Sequence, residues 1–143
     1  MNIVVIGAGE VGLYITRLLT DPKHQTQPMN VSVIDPDSAR MKQLDGSLDA
    51  AMVNGNGSHP EILQLAGIQE ADLLVAVSSN DEVNLIADLY ARNMGVNKSI
   101  VRIEADEIKQ ASKEEPWFLG GEPPDLIFDP DEDTAREIGD LLD

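Results

Sequence analysis

Short apolar runs recur along the chain and predict the strands of a sheet. Each run is rich in Val, Ile, Leu or Ala and is bounded by Gly, Asn, Asp or Ser. Runs of this length and composition are typical of strands that are buried on both faces. The predicted strands are Ile3–Ile6, Val31–Asp35, Ala51–Val53, Asp72–Val77, Ser99–Ile103 and Leu126–Phe128.

Between these runs, apolar residues recur at the three- and four-residue spacing that marks one face of a helix. The first example places Val11, Ile15, Leu18 and Leu19 on a common face. The predicted helices are Glu10–Leu19, one from Asp37 or Ser38 to about Leu44, one from Ser58 or His59 with Pro60 at its start and Gly67 at its end, Asp81–Met94, Asp106–Lys113 and Asp131–Leu142. A polar loop, Lys23–Met29, and an irregular segment, Pro116–Pro124, complete the pattern.

Strand and helix alternate along the whole chain. Apolar strands that are separated by helices form a parallel sheet with both faces covered. Crossovers in such sheets are right-handed in nearly all cases. The pattern therefore predicts an α/β fold, a Rossmann-like doubly wound parallel sheet, and the length of 143 residues suits a single domain.

Composition and charge exclude several classes of function. The chain has no cysteine, which excludes disulfides, thiolate metal sites and a cysteine nucleophile. The net charge is −16, and residues 104–143 carry 14 acidic but only three basic side chains. Such a chain repels phosphate backbones, which argues against nucleic-acid binding. No apolar run approaches the ~20 residues that cross a bilayer, so we expect no direct membrane insertion. The acidic excess is interpreted as a solvated surface, with a basic partner as the alternative.

The segment I-V-V-I-G-A-G-E-V-G carries the first candidate site. Gly7 permits a tight turn after the strand, Gly9 lets the backbone approach a pyrophosphate, and Gly12 lets the helix pack closely on the sheet. The first helical turn, with Glu10 and Val11, offers N–H groups and the positive end of a helix dipole to phosphates. The motif follows a strand and opens a helix, as a dinucleotide-binding loop requires. We predict that this loop binds a dinucleotide.

Two carboxylates near this loop bear on which nucleotide is bound. Asp35 ends the second strand, where an acidic residue binds both ribose hydroxyls of an adenosine and repels a 2′-phosphate. This favours NAD over NADP, and a helix cap before Pro36 is the alternative role. Glu10 lies in the first helical turn. It either stabilises the helix dipole or penalises a triphosphate more than a diphosphate, which would favour NAD over ATP.

Two further segments end at the same predicted edge of the sheet. N-G-N-G-S follows the third strand and A-V-S-S-N-D ends the fourth. Ligands of doubly wound sheets bind at the carboxyl ends of the strands, so both segments are candidate binding loops. The alternative for each is an ordinary turn that caps the next helix. The candidate residues are Asn56 and Ser58 for adenine or ribose, Gly57 for the space that a ring needs, and Ala76, Val77 and Ser78 for a backbone surface under the dinucleotide.

Catalytic groups are scarce in this sequence. His24 falls in a loop away from the ligand edge, and His59 is interpreted as a turn residue before Pro60. Arg102 is placed either to neutralise a phosphate or to form a salt bridge at an interface. We find no proton relay for a nicotinamide and no spacing of metal ligands. The sequence predicts a binding protein that is not an enzyme.

Several motifs together resemble one family. They are the glycine loop, V-I-D-P-D, G-N-G-S, A-G-I-x-x-A-D-L-L-V-A-V and N-D-E-x-N, and they run from Met1 to about Glu107. Their order resembles the RCK (KTN) domain, in particular the NAD-binding domain of Trk-type potassium uptake regulators. P-P-D-L-I-F-D-P near the C-terminus is similar to the last strand of that family.

The resemblance implies a function and a set of roles. Such domains lie on the cytoplasmic side of a potassium channel or transporter and pair into dimers and rings. They bind NAD, NADH or adenine nucleotides such as ATP and ADP without transforming them, and the movement of the ring gates transport. Carried over to this chain, Gly7, Gly9 and Gly12 hold the phosphates, Asp35 the ribose, and Arg40 lies beside the adenine; Asn56, Gly57 and Ser58 line the adenosine end, Ala76, Val77 and Ser78 pass under the dinucleotide, and Arg102 faces the phosphates or a neighbouring subunit.

The chain departs from the family in two ways. Full-length regulators add a small C-terminal domain or a second copy of the unit, and we expect residues 1–143 to be the N-terminal domain alone. Glu10 stands where some relatives carry a neutral or basic residue, which argues against activation by ATP. The competing hypothesis is the coenzyme-binding domain of a small NAD-dependent dehydrogenase, which would need a second domain for its substrate. An NAD-binding domain of a different channel or exporter is a third hypothesis.

Overall fold

The computed structural model describes residues 1–115 and 123–130 of the protein. Six parallel strands form one sheet in the order β3-β2-β1-β4-β5-β6. The strands are β1 (Asn2–Ile6), β2 (Asn30–Asp35), β3 (Ala51–Asn54), β4 (Leu73–Ala76), β5 (Lys98–Arg102) and β6 (Leu126–Phe128). The prediction of a doubly wound parallel sheet is confirmed, and each predicted strand is present within one residue of its predicted ends.

Five helices connect the strands within the described residues. They are α1 (Glu10–Thr20), α2 (Ser38–Leu44), α3 (Pro60–Leu65), α4 (Asp81–Asn93) and α5 (Asp106–Glu114). Two 3₁₀ turns, Pro22–His24 and Ile68–Glu70, were not predicted, because three residues are too few to show a period. The predicted helix Asp131–Leu142 and most of the predicted irregular segment lie outside the described residues.

The core lies on both faces of the sheet, as buried parallel strands require. Alternate residues of β1 contribute to opposite sides: Ile3 and Val5 pack with α1, and Val4 and Ile6 pack in the layer that α3 and α4 cover. Within the described ranges, no helix combines the length and the apolar character that a membrane span requires.

The topology places the candidate site at one edge. The chain leaves β1 towards β2 on one side, and β4 lies against β1 on the other. The strand order therefore reverses between β1 and β4, and a crevice opens at the carboxyl ends of these strands. The loops after β1, β2, β3, β4 and β5 all reach this edge.

Candidate functional site

A cleft of about 670 Å³ lies at the carboxyl edge of the sheet. Eleven of the fourteen predicted site residues line it: Gly7, Gly9, Glu10, Val11, Asp35, Arg40, Asn56, Gly57, Val77, Ser78 and Arg102. Gly12, Ser58 and Ala76 do not line the cleft. The sequence motifs thus converge on one surface, although three of their members have positions within the packing around it.

Gly7 and Gly12 are required by the fold itself. Gly7 has φ +111°, in the region that favours glycine, and its N–H donates to the carbonyl of Ile34 at 2.9 Å. A Cβ on Gly12 would lie 1.8 Å from the carbonyl oxygen of Gly7. No side chain fits in that gap, so α1 approaches the β1 turn closely only because residue 12 is glycine.

Gly9 differs from the other two glycines. It has φ −79°, which any residue adopts, and the atom nearest to an added Cβ is Arg40 Nη1 at 3.7 Å. Gly9 is the N-cap of α1, so the N–H groups of the first turn donate no hydrogen bond to a capping side chain. The uncapped end of α1 borders the cleft, where these N–H groups and the helix dipole favour an anion.

Asp35 joins the second strand to the glycine loop. Its Oδ2 accepts a hydrogen bond from the N–H of Ala8 at 2.8 Å, and its Oδ1 accepts one from the N–H of Asp37 at 2.9 Å. The alternative role of Asp35 as a helix cap is wrong, because Asp37 caps α2 by accepting from the N–H of Arg40. Each carboxylate oxygen has two lone pairs, so Asp35 retains capacity to accept from ligand hydroxyls.

The side chain of Arg40, in α2, reaches the glycine loop. Its Nη1 donates to the carbonyl of Ala8 at 3.0 Å, and its Nε lies 3.9 Å from Asp37 Oδ2. The guanidinium is about half exposed at the rim of the cleft. Its predicted place beside an adenine stays a prediction.

The turn after β3 packs mainly against itself and against β1. Asn56 Oδ1 accepts hydrogen bonds from the N–H of Ser58 at 2.9 Å and from its Oγ at 2.7 Å. A Cβ on Gly57 would lie 2.5 Å from a methyl group of Ile6. A side chain at position 57 would therefore collide with Ile6, and the predicted space for a ligand ring at Gly57 stays a prediction.

Asn84 of α4 holds the ends of β4 and β5 together. This fully buried side chain accepts from both the N–H and the Oγ of Ser78, and it donates to the carbonyls of Ser78 and Arg102. Ala76 is a buried strand residue that pairs with its neighbours in the sheet, and its predicted place under the dinucleotide stays a prediction.

Arg102 has a partner that the sequence analysis did not predict. Its Nη2 lies 3.0 Å from Glu104 Oε1, and its Nη1 donates to the carbonyl of Val77 at 3.3 Å. Asp81, at the start of α4, accepts from the N–H groups of Glu104 and Ala105 and so holds the loop after β5. Glu104 also lines the cleft, so this wall carries a guanidinium and a carboxylate side by side.

A buried carboxyl group lies outside the cleft wall. Asp88 of α4 is fully buried, and its Oδ2 lies 2.8 Å from Arg92 Nη2. Burial raises the pKa of Asp88, although the hydroxyl of Ser99 and the charge of Arg92 act in the opposite direction. Among the residues that the structure describes, no group of three His, Asp or Glu side chains is arranged to hold a metal ion.

Comparison with known families decides the identity of the fold. The model of the TrkA-N domain matches residues 3–115 of the chain. The chain belongs to the TrkA-N domain family.

The similar proteins agree with this membership. A Trk system potassium uptake protein TrkA homolog from Archaeoglobus fulgidus is 36% identical over 144 residues, which are 99% of this chain and 30% of the relative. The TrkA-N domain of the inner membrane protein ybaL from Escherichia coli superposes with a TM-score of 0.73 at 21% identity, covering 99% and 96% of the two chains. A GsuK channel bound to NAD gives a TM-score of 0.65 at 22% identity, covering 99% and 23%.

The site of this TrkA-N domain includes residues to which the sequence pattern assigned no individual role. Glu104, Asn80 and Val83 line the cleft, and Asp81 and Asn84 hold its wall. Asn80 and Asp81 belong to the candidate binding loop A-V-S-S-N-D, for which a helix-capping turn was the alternative, and all but Glu104 belong to the string N-D-E-V-N, Asn80 to Asn84, which carries part of the resemblance. The structure supplies roles for its polar members, since Asn80 caps α4, Asp81 holds the β5 loop, and Asn84 joins two strand ends.

Proposed function

We propose that this domain is the nucleotide-sensing part of a potassium uptake system, and that NAD or NADH in the cleft is its input. The nucleotide part rests on one observation: the start of α1, which has no capping side chain, and the carboxylate of Asp35 converge on one cleft. A dinucleotide would place its pyrophosphate on the first-turn N–H groups and its adenosine ribose on the remaining lone pairs of Asp35.

The cleft has the features that such a ligand requires. A Cβ at Gly9 would meet only the tip of Arg40, so the backbone is open to close approach by phosphates. Glu10 borders the same end of the helix and adds a negative charge that a triphosphate tolerates less well than a diphosphate. ADP and ATP remain alternative ligands under this proposal, with ATP binding more weakly than NADH.

The regulatory part of the proposal rests on the relatives. This chain spans about 30% of the length of the Archaeoglobus fulgidus protein, which is named for potassium uptake. We propose that the domain acts on the cytoplasmic side of a membrane-embedded potassium channel or transporter, to which it attaches as a homo-oligomer, either a dimer or a ring. A nucleotide would shift transport through its differential affinity for two arrangements of the assembly, without being consumed.

A thermal titration tests the nucleotide proposal. A ligand at 100 times its dissociation constant stabilises the folded state by about 2.7 kcal/mol, so NADH should raise the melting temperature. Asp35→Ala should remove most of this shift, measured against the variant's own ligand-free melting curve, because the substitution also releases the Ala8 contact. A melting curve that does not change at millimolar NADH would exclude the proposed ligand. Light scattering on the same samples measures the proposed oligomer.

A further inference from the structure

An arginine at the end of β5 and a glutamate two residues later lie on the same side of the chain. Residues two apart on an extended segment point to the same face. Ile103, between them, is fully buried in the core, so Arg102 and Glu104 both face the cleft. Their closest atoms, Nη2 and Oε1, lie 3.0 Å apart. The two charges therefore form one feature of the cleft wall.

Buried side chains of α4 hold the backbone of this pair on both sides. Asp81 is only 8% exposed, and its two oxygens accept from the N–H groups of Glu104 and Ala105 at 3.0 and 2.9 Å. The fully buried Asn84 donates to the carbonyl of Arg102 at 3.0 Å. The segment is thus fixed at two points, and the pair is a built part of the wall.

Arg102 retains unused hydrogen-bonding capacity. The guanidinium has five N–H donors. One meets Glu104, one makes a long contact of 3.3 Å with the carbonyl of Val77, and the buried Nε has no hydrogen-bond partner within the described part of the chain. Phosphate oxygens are the acceptors that suit such a guanidinium best, but an anion that approaches Arg102 also meets the negative charge of Glu104.

We propose that Glu104 is a specificity-determining residue, which pairs with Arg102 and thereby makes the β5 side of the cleft unfavourable for an additional phosphate. This inference rests on the proposed nucleotide site. From Asp35, a ligand extends past the start of α1 towards β4 and β5. A triphosphate ends in phosphate on that side, whereas a dinucleotide continues with a second nucleoside beyond its two phosphates. Glu104 therefore favours the dinucleotide over the triphosphate.

Calorimetric titrations with ATP and NADH test this role on the full chain and its variants. In Glu104→Gln, ATP should bind about tenfold more tightly, because the guanidinium of Arg102 is then free to pair with phosphate in a partly hydrated cleft, while the dissociation constant of NADH changes less than about twofold. Glutamine keeps the backbone contact to Asp81, so the fold is preserved. Glu107→Gln, on the exposed first turn of α5 and outside the cleft wall, is the matched control and should change neither constant.

A double-mutant cycle separates masking of Arg102 from simple repulsion. In a chain that already carries Arg102→Gln, the further substitution Glu104→Gln should no longer raise the affinity for ATP. The guanidinium that Glu104→Gln would otherwise expose is absent from that chain. If Glu104→Gln still raises the affinity for ATP in the Arg102→Gln chain, the inference is overturned. It is also overturned if Glu104→Gln changes the affinities for ATP and NADH equally, or changes neither. Those outcomes leave NADH binding intact. A wild-type chain that binds no nucleotide overturns the proposed function together with this inference.

Discussion

One methyl group at Gly9 should separate ligand binding from folding. In Gly9→Ala, the new Cβ has ordinary van der Waals contact with Arg40 Nη1 at 3.7 Å, and the φ of −79° suits alanine. The same change at Gly12 would put the Cβ 1.8 Å from the carbonyl oxygen of Gly7. Gly9→Ala therefore tests the cleft, whereas Gly12→Ala tests the packing of α1.

The expected magnitudes follow from these contacts. At an N-cap, alanine is less favourable than glycine by up to about 1 kcal/mol. Alanine also lowers the conformational entropy of the unfolded chain, which offsets about 0.4–1 kcal/mol of this loss. The melting temperature of Gly9→Ala should thus stay within about 4 °C of wild type. A methyl group in the path of the pyrophosphate should disrupt about two charge-assisted hydrogen bonds to the first turn of α1. Their combined loss of about 3 kcal/mol lowers the affinity for NADH about 100-fold.

Calorimetry with NADH and thermal melting without ligand are the two measurements. Gly46→Ala is the matched control, because Gly46 has φ +83° in a turn away from the cleft, with no atom within 4 Å of an added Cβ. It should lose about 1 kcal/mol of stability through backbone strain and keep full affinity for NADH. Wild-type affinity in Gly9→Ala would refute the reasoning, since phosphates would then not approach the backbone there.

Three further predictions concern single side chains. Glu10→Gln should narrow the gap between NADH and ATP affinities in calorimetry, and an unchanged ratio would leave Glu10 with only its helix-dipole role. Asn84→Ala should lower the unfolding free energy in urea by about 2–4 kcal/mol, because it removes the four hydrogen bonds by which the buried Asn84 side chain holds Ser78 and the carbonyl of Arg102. Burial raises the pKa of Asp88 above its usual 3.8, so the folded state keeps a proton that the unfolded state releases as the pH rises. The stability of wild type relative to Asp88→Asn should accordingly fall as the pH rises above about 4 in urea titrations, and a rise would mean that attraction to Arg92 dominates.

The sheet was predictable because its signals are local. Each strand is a run of apolar residues a few positions long, and α1 shows the helical period within its own eleven residues. The doubly wound class of the sheet also followed from the sequence, since alternating strands and helices admit few arrangements, whereas the order of the strands comes from the structure. The ends of the elements and the two 3₁₀ turns depend on hydrogen bonds at single residues, such as the cap from Asp21 to the N–H of Lys23.

The roles of individual site residues were less predictable, because they depend on pairs that are distant in sequence. The turn N-G-N-G-S marked Gly57, but its close approach to Ile6 joins a loop to a strand about fifty positions away in the sequence. The support that Asp81 gives to Glu104 links the start of one helix to the loop before the next. No periodicity reports such a contact, and the position of Asp81 at the start of a helix predicts only a favourable dipole interaction.

The charges of the cleft bear on how an anionic ligand is held. Among the described lining residues, four are acidic and two basic: Glu10, Asp35, Asp37 and Glu104 against Arg40 and Arg102. Each guanidinium already lies beside a carboxylate, at 3.9 Å for Arg40 and 3.0 Å for Arg102. Side-chain charge is thus net negative, so attraction for a pyrophosphate must come from the backbone N–H groups of α1. These dipoles act only at short range. The two phosphates that lie against them therefore gain more binding free energy than a third phosphate that extends towards Glu104. The same balance predicts that added salt weakens NADH binding little, because few ion pairs form between ligand and protein.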